Sequence, residues 1–133
     1  MHNDIMYEWS SQQKNLLLIT GHTHQPVFTS LTHLESLYKK FQLAGAENNT
    51  ELEAALKEEI KQREKEFAAV AVDYMKMKPS YFNSGCCCFN DGDITGIEIA
   101  DGCIRLIKWT RKEDRSQREV LESMSLEELA GMV

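Results

Sequence analysis

The chain has 133 residues, of which 42% are hydrophobic and 27% are charged, and this composition is typical of one globular domain rather than of a disordered or fibrous protein. Its formal net charge of −6 argues against a nucleic-acid-binding surface, because phosphate binding depends mainly on Lys and Arg. No apolar stretch approaches the roughly 20 residues of a membrane span, and the first residues do not resemble a secretory leader, so we expect a cytoplasmic protein without a membrane partner.

The first part of the chain predicts a helix and then a strand. Residues 4–14 have the pattern of the last turns of a helix. Its apolar side chains are Ile5, Tyr7 and Trp9. The run "NLLLIT" at residues 15–20 is continuously apolar, which predicts a strand buried on both faces in the middle of a layered α/β protein. This strand ends at Gly21, and "HTHQPVF" follows it.

Residues 31–78 predict an antiparallel helical hairpin. In "SLTHLESLYKKFQLAG" the apolar residues recur at helical spacing, and Gly45 lies near the expected C-terminal cap. A longer helix follows, with Thr50 as its N-cap, Glu53 completing a capping box, and an end before Pro79. One face of that helix carries Leu52, Leu56, Ile60, Arg63, Phe67, Val70 and Tyr74. Simple packing explains such a hairpin, and the alternative is a cap over a site or a dimer surface.

Residues 81–110 predict an antiparallel β-meander. Its three strands are "YFNSGCCCF", "ITGIEIA" and "CIRLIKWT", joined by turns at "NDGD" and "ADG". Ser125 as N-cap and Glu128 three residues later predict a short closing helix. The fold class expected is therefore α/β in the wider sense (α+β), as a single domain over residues 1–133 with about four strands and an inserted hairpin.

The four cysteines do not have the spacing of a metal site. Cys86, Cys87 and Cys88 are consecutive, and neighbouring residues of a strand point to opposite faces, so they do not converge on one tetrahedral zinc. We expect them and Cys103 to be reduced thiols packed as small hydrophobic side chains. A disulfide framework is not expected in a cytoplasmic chain.

His22 and His24 are the strongest candidates for a functional site. In an extended backbone, residues i and i+2 share a face, with Cα atoms roughly 6.5 to 7 Å apart. This separation matches one imidazole on each of two metal ions that lie roughly 3.5 to 4 Å apart. A bare pair of this kind is also typical of solvated or core-packed histidines. The preceding buried strand and Gly21 favour the metal site, because glycine lets the backbone approach ions closely.

Other polar side chains are assigned structural roles. Asp is favoured in turns for its hydrogen bonds to the backbone, and this describes Asp91, Asp93 and Asp101. His33 lies on the first hairpin helix beside apolar neighbours, which is typical of a packed or solvated residue, and His2 is terminal. Asn83 is expected to make a strand-end hydrogen bond, with a place near the metal ions as the alternative.

Three segments resemble one protein family. The string "LLLITGHTHQPVF" is similar to the last signature of the calcineurin-like metallophosphoesterases, a hydrophobic strand that ends in Gly-His-x-His. "YFNSGCC" is similar to the Asn-x-Gly strand that follows this signature in many members, and "ITGIEIADGCIRLIKW" resembles their closing hairpin. The three segments occur in the family's order over residues 16–109.

The resemblance implies a fold and a chemistry. The fold is an αββα sandwich, in which two facing sheets are flanked by helices. His22 would bind one metal ion and His24 the other, while Thr23 would have no direct role and would point the opposite way. A hydroxide that bridges the ions would attack the phosphorus of a phosphate ester in line. The identity of the two divalent ions stays open, because imidazole suits Mn, Fe, Zn, Ni and Co alike.

The chain also departs from the family. The Asp-x-His, Gly-Asp-x-x-Asp and Gly-Asn-His motifs and the separate His that precede the last signature are missing, and Gly92 and Asp93 of "DGDITG" do not replace them. We therefore expect the C-terminal part of a two-metal phosphoesterase, inactive alone and homo-oligomeric because its apolar strands lack their cover. The alternative is a non-catalytic, self-associating interaction module. A structural zinc domain built on the histidines and cysteines requires a fold that the sequence does not support.

Overall fold

The computed structural model describes residues 2–21, 23, 25–64, 76–85 and 93–133. The chain divides into two compact units, one formed by Met1–Ser30 with Lys78–Val133 and the other by Leu31–Met77. The described elements are α1 (His2–Ser11), β1 (Leu18–Thr20), α2 (His33–Ala46), α3 (Thr50–Glu64), β2 (Tyr81–Asn83), β3 (Ile94–Ala100), β4 (Cys103–Lys112), β5 (Arg115–Ser125) and α4 (Leu126–Ala130). Within these ranges, no helix has both the length and the apolar character needed to cross a membrane.

The first sheet of the larger unit is built around β2. Strand β1 pairs with β2 in parallel, with Ile19 opposite Phe82 and Thr20 opposite Asn83. On the other edge of β2, Val27 pairs antiparallel with Asn83. The prediction that the strand at residue 81 opens the antiparallel meander is therefore wrong for Tyr81–Asn83. This short segment belongs to a different sheet, where it is the central strand.

The second sheet is an antiparallel meander in the order β3, β4, β5. The two predicted strands at Ile94–Ala100 and Cys103–Lys112 are confirmed, and the turn between them has Asp101 at φ 52° and Gly102 at φ 71°, as a two-residue hairpin turn requires. The third strand is Arg115–Ser125, which the sequence pattern did not predict. The described chain thus has five strands instead of about four, and the predicted "NDGD" turn lies largely outside the described residues.

The two sheets face each other across an apolar core. Phe28 and Phe82 make an edge-to-face contact with ring centroids 5.2 Å apart, and Ile104, Leu106 and Leu129 complete the cluster. Since side chains alternate along a strand, the neighbours of Phe82 in β2 point to the opposite face. There Tyr81 and Asn83 hydrogen-bond to Asn3 of α1. Helix α1, the first sheet and the second sheet therefore lie in successive layers, and the predicted α+β class is confirmed.

Two expectations for the N-terminal elements are wrong. The strand at β1 is not buried on both faces, because Ile19 is 43% exposed. The helix α1 spans His2–Ser11, and of its predicted apolar side chains Ile5 and Trp9 are exposed while Tyr7 is half-buried. The helix instead turns a polar face, which includes Asn3 and the buried Ser10, toward β2.

The smaller unit is the predicted helical hairpin. Its core consists of Leu34, Leu37, Ala44, Leu56 and Ile60, with Tyr38 and Phe41 packed against them. Helix α2 begins with a capping box between Thr32 and Glu35. It ends at Ala46 with Glu47 as its C-cap, so Gly45 lies near the C-terminal cap as predicted. Of the face predicted for α3, Leu56 and Ile60 are buried and Leu52 is 44% exposed. The predicted Phe67, Val70 and Tyr74 lie outside the described residues.

The caps of α3 and α4 show how sequence signals succeed and fail. Thr50 is the first residue of α3 and not its N-cap, because the side-chain oxygen of Asn49 accepts the hydrogen bond from the Leu52 amide at 3.2 Å. Ser125 is the N-cap of α4 as predicted, and its hydroxyl accepts from the Glu128 amide at 3.1 Å. Asn and Thr are both good N-cap residues, so adjacent candidates are separated only by the backbone geometry.

Candidate metal site

The segment of residues 21–26 carries the two predicted metal ligands, and we call it the histidine loop. It follows Thr20, the last residue of β1. In open sheets with parallel strands, ligands bind beyond the carboxyl ends of the strands, and Thr20 and Asn83 end two neighbouring parallel strands side by side. His22 and His24 themselves lie outside the described residues. Residues 21, 23, 25 and 26 of the loop are described, together with the strands on both sides of it.

Hydrogen bonds to β2 and to the residue that follows it hold both ends of the histidine loop. At the first end, the carbonyl of Thr20 accepts from the Ser84 amide at 2.9 Å. At the second end, Val27 and Asn83 exchange two backbone hydrogen bonds, each 2.9 Å long. Because β1 and Val27 pair with opposite edges of β2, the loop must span two inter-strand spacings, about 10 Å, over the carboxyl end of β2.

The side of β2 that faces α1 carries a buried polar network. Tyr81 is 1% exposed and Asn83 is fully buried. The hydroxyl of Tyr81 donates to Asn3 Oδ1 at 2.7 Å, so the 2.8 Å contact with Thr20 Oγ1 must be a bond in which Thr20 donates. Asn83 Nδ2 donates both to Asn3 Oδ1, at 3.2 Å, and to the Tyr81 hydroxyl, at 3.1 Å. Every proton of the Asn83 amide group and the Tyr81 hydroxyl thus has an acceptor.

The acceptor oxygen of Asn83 holds the residues directly under the loop. Asn83 Oδ1 accepts from the Gly85 amide at 2.9 Å, which confirms the predicted strand-end hydrogen bond. Gly85 has φ +78°, and a Cβ atom built on it would lie 2.3 Å from Thr95 Oγ1 and 3.6 Å from Pro26. No side chain fits there, and the chain after β2 passes closely between the histidine loop and β3.

Close packing also leaves little space for a side chain at Gly21. A Cβ atom on Gly21 would lie 3.0 Å from Ser84 Oγ, so the loops that follow β1 and β2 are in close contact at this point. Within the loop, Thr23 Oγ1 donates to the carbonyl of Gln25 at 2.8 Å, which stabilises a local turn. Thr23 is predicted to point away from the two imidazoles. His22 and His24 lie outside the described residues, so this stays a prediction.

The other candidate residues that the structure describes lie at helix starts, in a turn or in an ion pair. His2 is the exposed first residue of α1, and His33 is the first residue of α2. Asp93 forms an ion pair with Lys108 at 3.0 Å, and Asp101 lies in the β3–β4 turn. Cys103 is a free, half-buried thiol, while Cys86, Cys87, Cys88 and Asp91 lie outside the described residues.

Sequence reasoning missed the polar layer under the site. Asn3, Tyr81 and Thr20 have no motif that marks them as a network, since the first lies on a helix and the other two on short strands far apart in the chain. In the part of the chain that the structure describes, no three His, Cys, Asp or Glu side chains group closely enough to hold a metal ion. Comparison of the chain with known protein families, with curated proteins and with solved structures finds no match in any of the three.

Proposed function

We propose that this chain is the C-terminal part of a two-metal phosphoesterase of the calcineurin-like type, in which His22 and His24 each bind one divalent ion. The observation that carries the proposal is the course of the histidine loop. It leaves the carboxyl end of a parallel strand, crosses the end of β2, and is hydrogen-bonded at both ends. Open sheets with parallel strands bind ligands at this position. A short loop whose two ends are held by hydrogen bonds also suits side chains that must be preorganised as metal ligands.

The residues present suit such ions in part. Imidazole nitrogens are common ligands of Zn, Mn, Fe, Ni and Co, and glycines at positions 21 and 85 keep the backbone around the loop free of side chains. Two bound ions would supply an activated water and would offset the charge on a phosphate ester. His22 and His24 provide too few ligands for a complete two-metal centre, so in this proposal the other ligands belong to further residues of the complete enzyme, and the chain alone is inactive.

The open edge of β1 supports the view that the sheet continues. Among the described strands, β1 pairs only with β2. Two-stranded parallel sheets are marginal alone, because parallel sheets normally have several strands with both faces covered. A cytoplasmic location belongs to the same proposal, since a free thiol such as Cys103 stays reduced in that compartment.

Binding of Zn²⁺ to the 133-residue chain tests the ligand assignment directly. We expect Zn²⁺ to shift the imidazole resonances of His22 and His24, and each replacement by Ala to remove the binding at that imidazole. His2→Ala is the matched control, because His2 is exposed on α1 and should leave binding unchanged. Equal Zn²⁺ affinity in the His22→Ala variant and the unaltered chain would contradict the assignment. In a protein with the complete site, each replacement should lower hydrolysis of an aryl phosphate by orders of magnitude.

A second proposal, self-association, has support from the outer face of the meander. On the face of β3, β4 and β5 that points away from the core, Ile94 and Trp109 are direct cross-strand partners, with exposures of 45% and 41%. Ile107 and Val120 form the next apolar pair, and Val120 is 43% exposed. A second copy of the chain, related by a two-fold axis, would cover this outer face in a homodimer. Self-association through this surface is compatible both with the proposed phosphoesterase and with a non-catalytic interaction module.

A further inference from the structure

Strands β4 and β5 continue beyond β3 as a two-stranded ribbon. In the described chain, β3 begins at Ile94 opposite Trp109, whereas the pairing of β4 with β5 runs on past Trp109. Three further pairs follow, namely Thr110 with Gln117, Arg111 with Ser116, and Lys112 with Arg115. We call residues 110–117 the ribbon. At roughly 3.4 Å per residue, it extends about 10 Å past the end of β3.

The ribbon does not build a core. It contains none of the aliphatic or aromatic residues, and its side chains are exposed except for the half-buried Thr110. Lys112 and Arg115 are direct cross-strand partners, and like charges placed opposite each other destabilise a sheet. Neither forms an ion pair with a carboxylate of the described chain. Proteins break such local rules most often at functional surfaces, so the ribbon is a candidate for contact with an anionic partner.

The ribbon lies in a basic part of an acidic chain. Residues 105–118 carry six Lys and Arg residues against two carboxylates, whereas the rest of the chain carries 9 against 19. Three of the six cations lie outside the ribbon and contact the carboxylates of β3 or of the residue before it, namely Arg105 and Arg118 with Glu98, and Lys108 with Asp93. On the ribbon, Arg111 reaches Asp114 at 3.6 Å in a contact that is largely in water. The net charge of −6 therefore does not exclude an anionic partner at this surface.

The cations of the ribbon point to both of its faces. Side chains alternate along a strand and cross-strand partners share a face, so Arg111 lies on one face and Lys112 and Arg115 on the other. The two carboxylates, Glu113 and Asp114, lie in the turn at the tip, which favours contact of phosphates with the sides of the ribbon. A flat anionic surface such as a membrane can contact one face at a time, whereas a groove with phosphates along both walls contacts both faces.

The dimensions and composition of the ribbon distinguish among nucleic acids. The major groove of B-form DNA is about 12 Å wide and admits a two-stranded β-ribbon, whereas that of duplex RNA is deep and narrow. Single strands are held mainly by stacking on aromatic side chains, and residues 110–117 include none. We propose that the ribbon lies in the major groove of double-stranded DNA, with Arg111, Lys112 and Arg115 on phosphates. The proposal goes beyond the phosphoesterase and uses no residue of the histidine loop.

Fluorescence anisotropy of a labelled DNA duplex of mixed sequence, titrated with the 133-residue chain, tests the proposal. The ribbon variant combines Arg111→Gln, Lys112→Gln and Arg115→Gln. It should be at least as stable as the unaltered chain in thermal melts followed by circular dichroism, because it removes the pair of like charges.

The control variant combines Lys14→Gln, Lys57→Gln and Lys61→Gln. These three lysines are exposed and lie outside the ribbon, so the control changes the net charge of the chain by the same amount. A difference between the two variants therefore reports where the charge is removed.

We expect the unaltered chain to bind the duplex with a dissociation constant of about 1–100 μM at physiological salt, as is typical of contacts to phosphates alone. For three phosphate contacts, the logarithm of the association constant should fall with the logarithm of the salt concentration with a slope of about −2.7. The ribbon variant should bind at least about tenfold more weakly at low salt, and the control should bind as the unaltered chain does. Lys112→Gln and Arg115→Gln should each reduce the slope by about 1.

An equal loss in the control variant overturns the proposal, because net charge alone would then explain the binding. Absence of duplex binding at about 50 mM salt also overturns it. Equal or tighter binding to the single strand of the same sequence, to polyglutamate or to vesicles that contain phosphatidylserine rules out the groove and assigns the ribbon to another polyanion. None of these outcomes affects the proposed function, which Zn²⁺ binding at His22 and His24 tests separately.

Discussion

Ile19 and Phe82 are direct partners in the parallel ladder, yet Phe82 is fully buried and Ile19 is 43% exposed. Partners in register point to the same face of the sheet, so both side chains face the second sheet. The difference arises because β2 has neighbours on both edges, whereas β1 is an edge strand in the described chain. The core of the larger unit is therefore centred on β2, and β1 forms its margin.

This asymmetry predicts unequal effects of two equivalent truncations. Phe82→Ala should lower the free energy of unfolding by about 3–5 kcal/mol, because it removes a ring that packs against Phe28 and leaves a cavity. Ile19→Ala should cost about 1 kcal/mol, because much of its side chain is already in water. Urea unfolding followed by circular dichroism measures both. Equal losses would mean that the edge of β1 is covered in solution.

Gly85 and Gly102 provide a second matched pair. Both have positive φ, at 78° and 71°, but a Cβ atom on Gly85 would lie 2.3 Å from Thr95 Oγ1, while nothing lies within 4 Å of one on Gly102. Gly102→Ala should therefore cost about 1 kcal/mol for the backbone conformation alone. Gly85→Ala should cost about 2–4 kcal/mol, since overpacking adds to the same penalty.

Thr95→Ala provides the check on that explanation. It removes the atom that a Cβ on Gly85 would meet, together with the 2.7 Å hydrogen bond from Thr95 to the Ser84 carbonyl. The double variant should be more stable than the sum of the two single losses predicts, because contacting residues are coupled. Strict additivity would show that the contact between Thr95 and position 85 is not the cause.

The helix caps of the hairpin give a third prediction. Thr32→Ala should lower stability by about 1 kcal/mol, because it removes the capping box with Glu35. Thr50→Ala should change it by only a few tenths of a kcal/mol, because Thr50 is inside the first turn, whereas Asn49→Ala should cost about 0.5–1 kcal/mol. Thermal unfolding of the three variants gives the order of the three stability losses. A larger loss for Thr50→Ala than for Asn49→Ala would restore Thr50 as the N-cap.

Local signals in the sequence predicted much of the fold. The periodic apolar residues of α2 and α3 and the "ADG" turn between β3 and β4 are short-range features, and each was predicted with its element type. The Thr32 and Glu35 pair, which caps α2, is also a local signal, but it was not among the predictions.

The missed features depend on contacts between distant residues. Residues 81–83 carry no periodicity that distinguishes a parallel partner of β1 from the first strand of a meander. Strand β5 is mostly polar and exposed over residues 115–120, so its alternation is weak, and pairing with β4 defines it. For the candidate site, the sequence draws attention to the histidine motif, but only long-range hydrogen bonds reveal the network of Asn3, Tyr81 and Thr20.

The outer face of the meander leads to the last prediction, which concerns assembly. This face carries the apolar pair of Ile94 and Trp109 together with Glu98, which Arg118 contacts through its Nε at 3.1 Å. Such a mixed surface can meet its own copy across a two-fold axis, with apolar side chains in the middle and charges of both signs around them. We expect the chain to sediment as a dimer at micromolar concentration.

Trp109→Lys tests whether this face is the one that associates. A lysine would place a charge where a large apolar side chain is buried in the dimer, and loss of about 1.5–3 kcal/mol raises the dissociation constant by about 10- to 100-fold. Leu43→Lys is the control, because Leu43 is an exposed apolar residue of α2, at 48%, away from the meander in sequence and in the other unit. A stable, folded 15.3 kDa monomer would show that the outer face needs no cover. Dissociation by Leu43→Lys but not by Trp109→Lys would instead assign the contact to the helical hairpin.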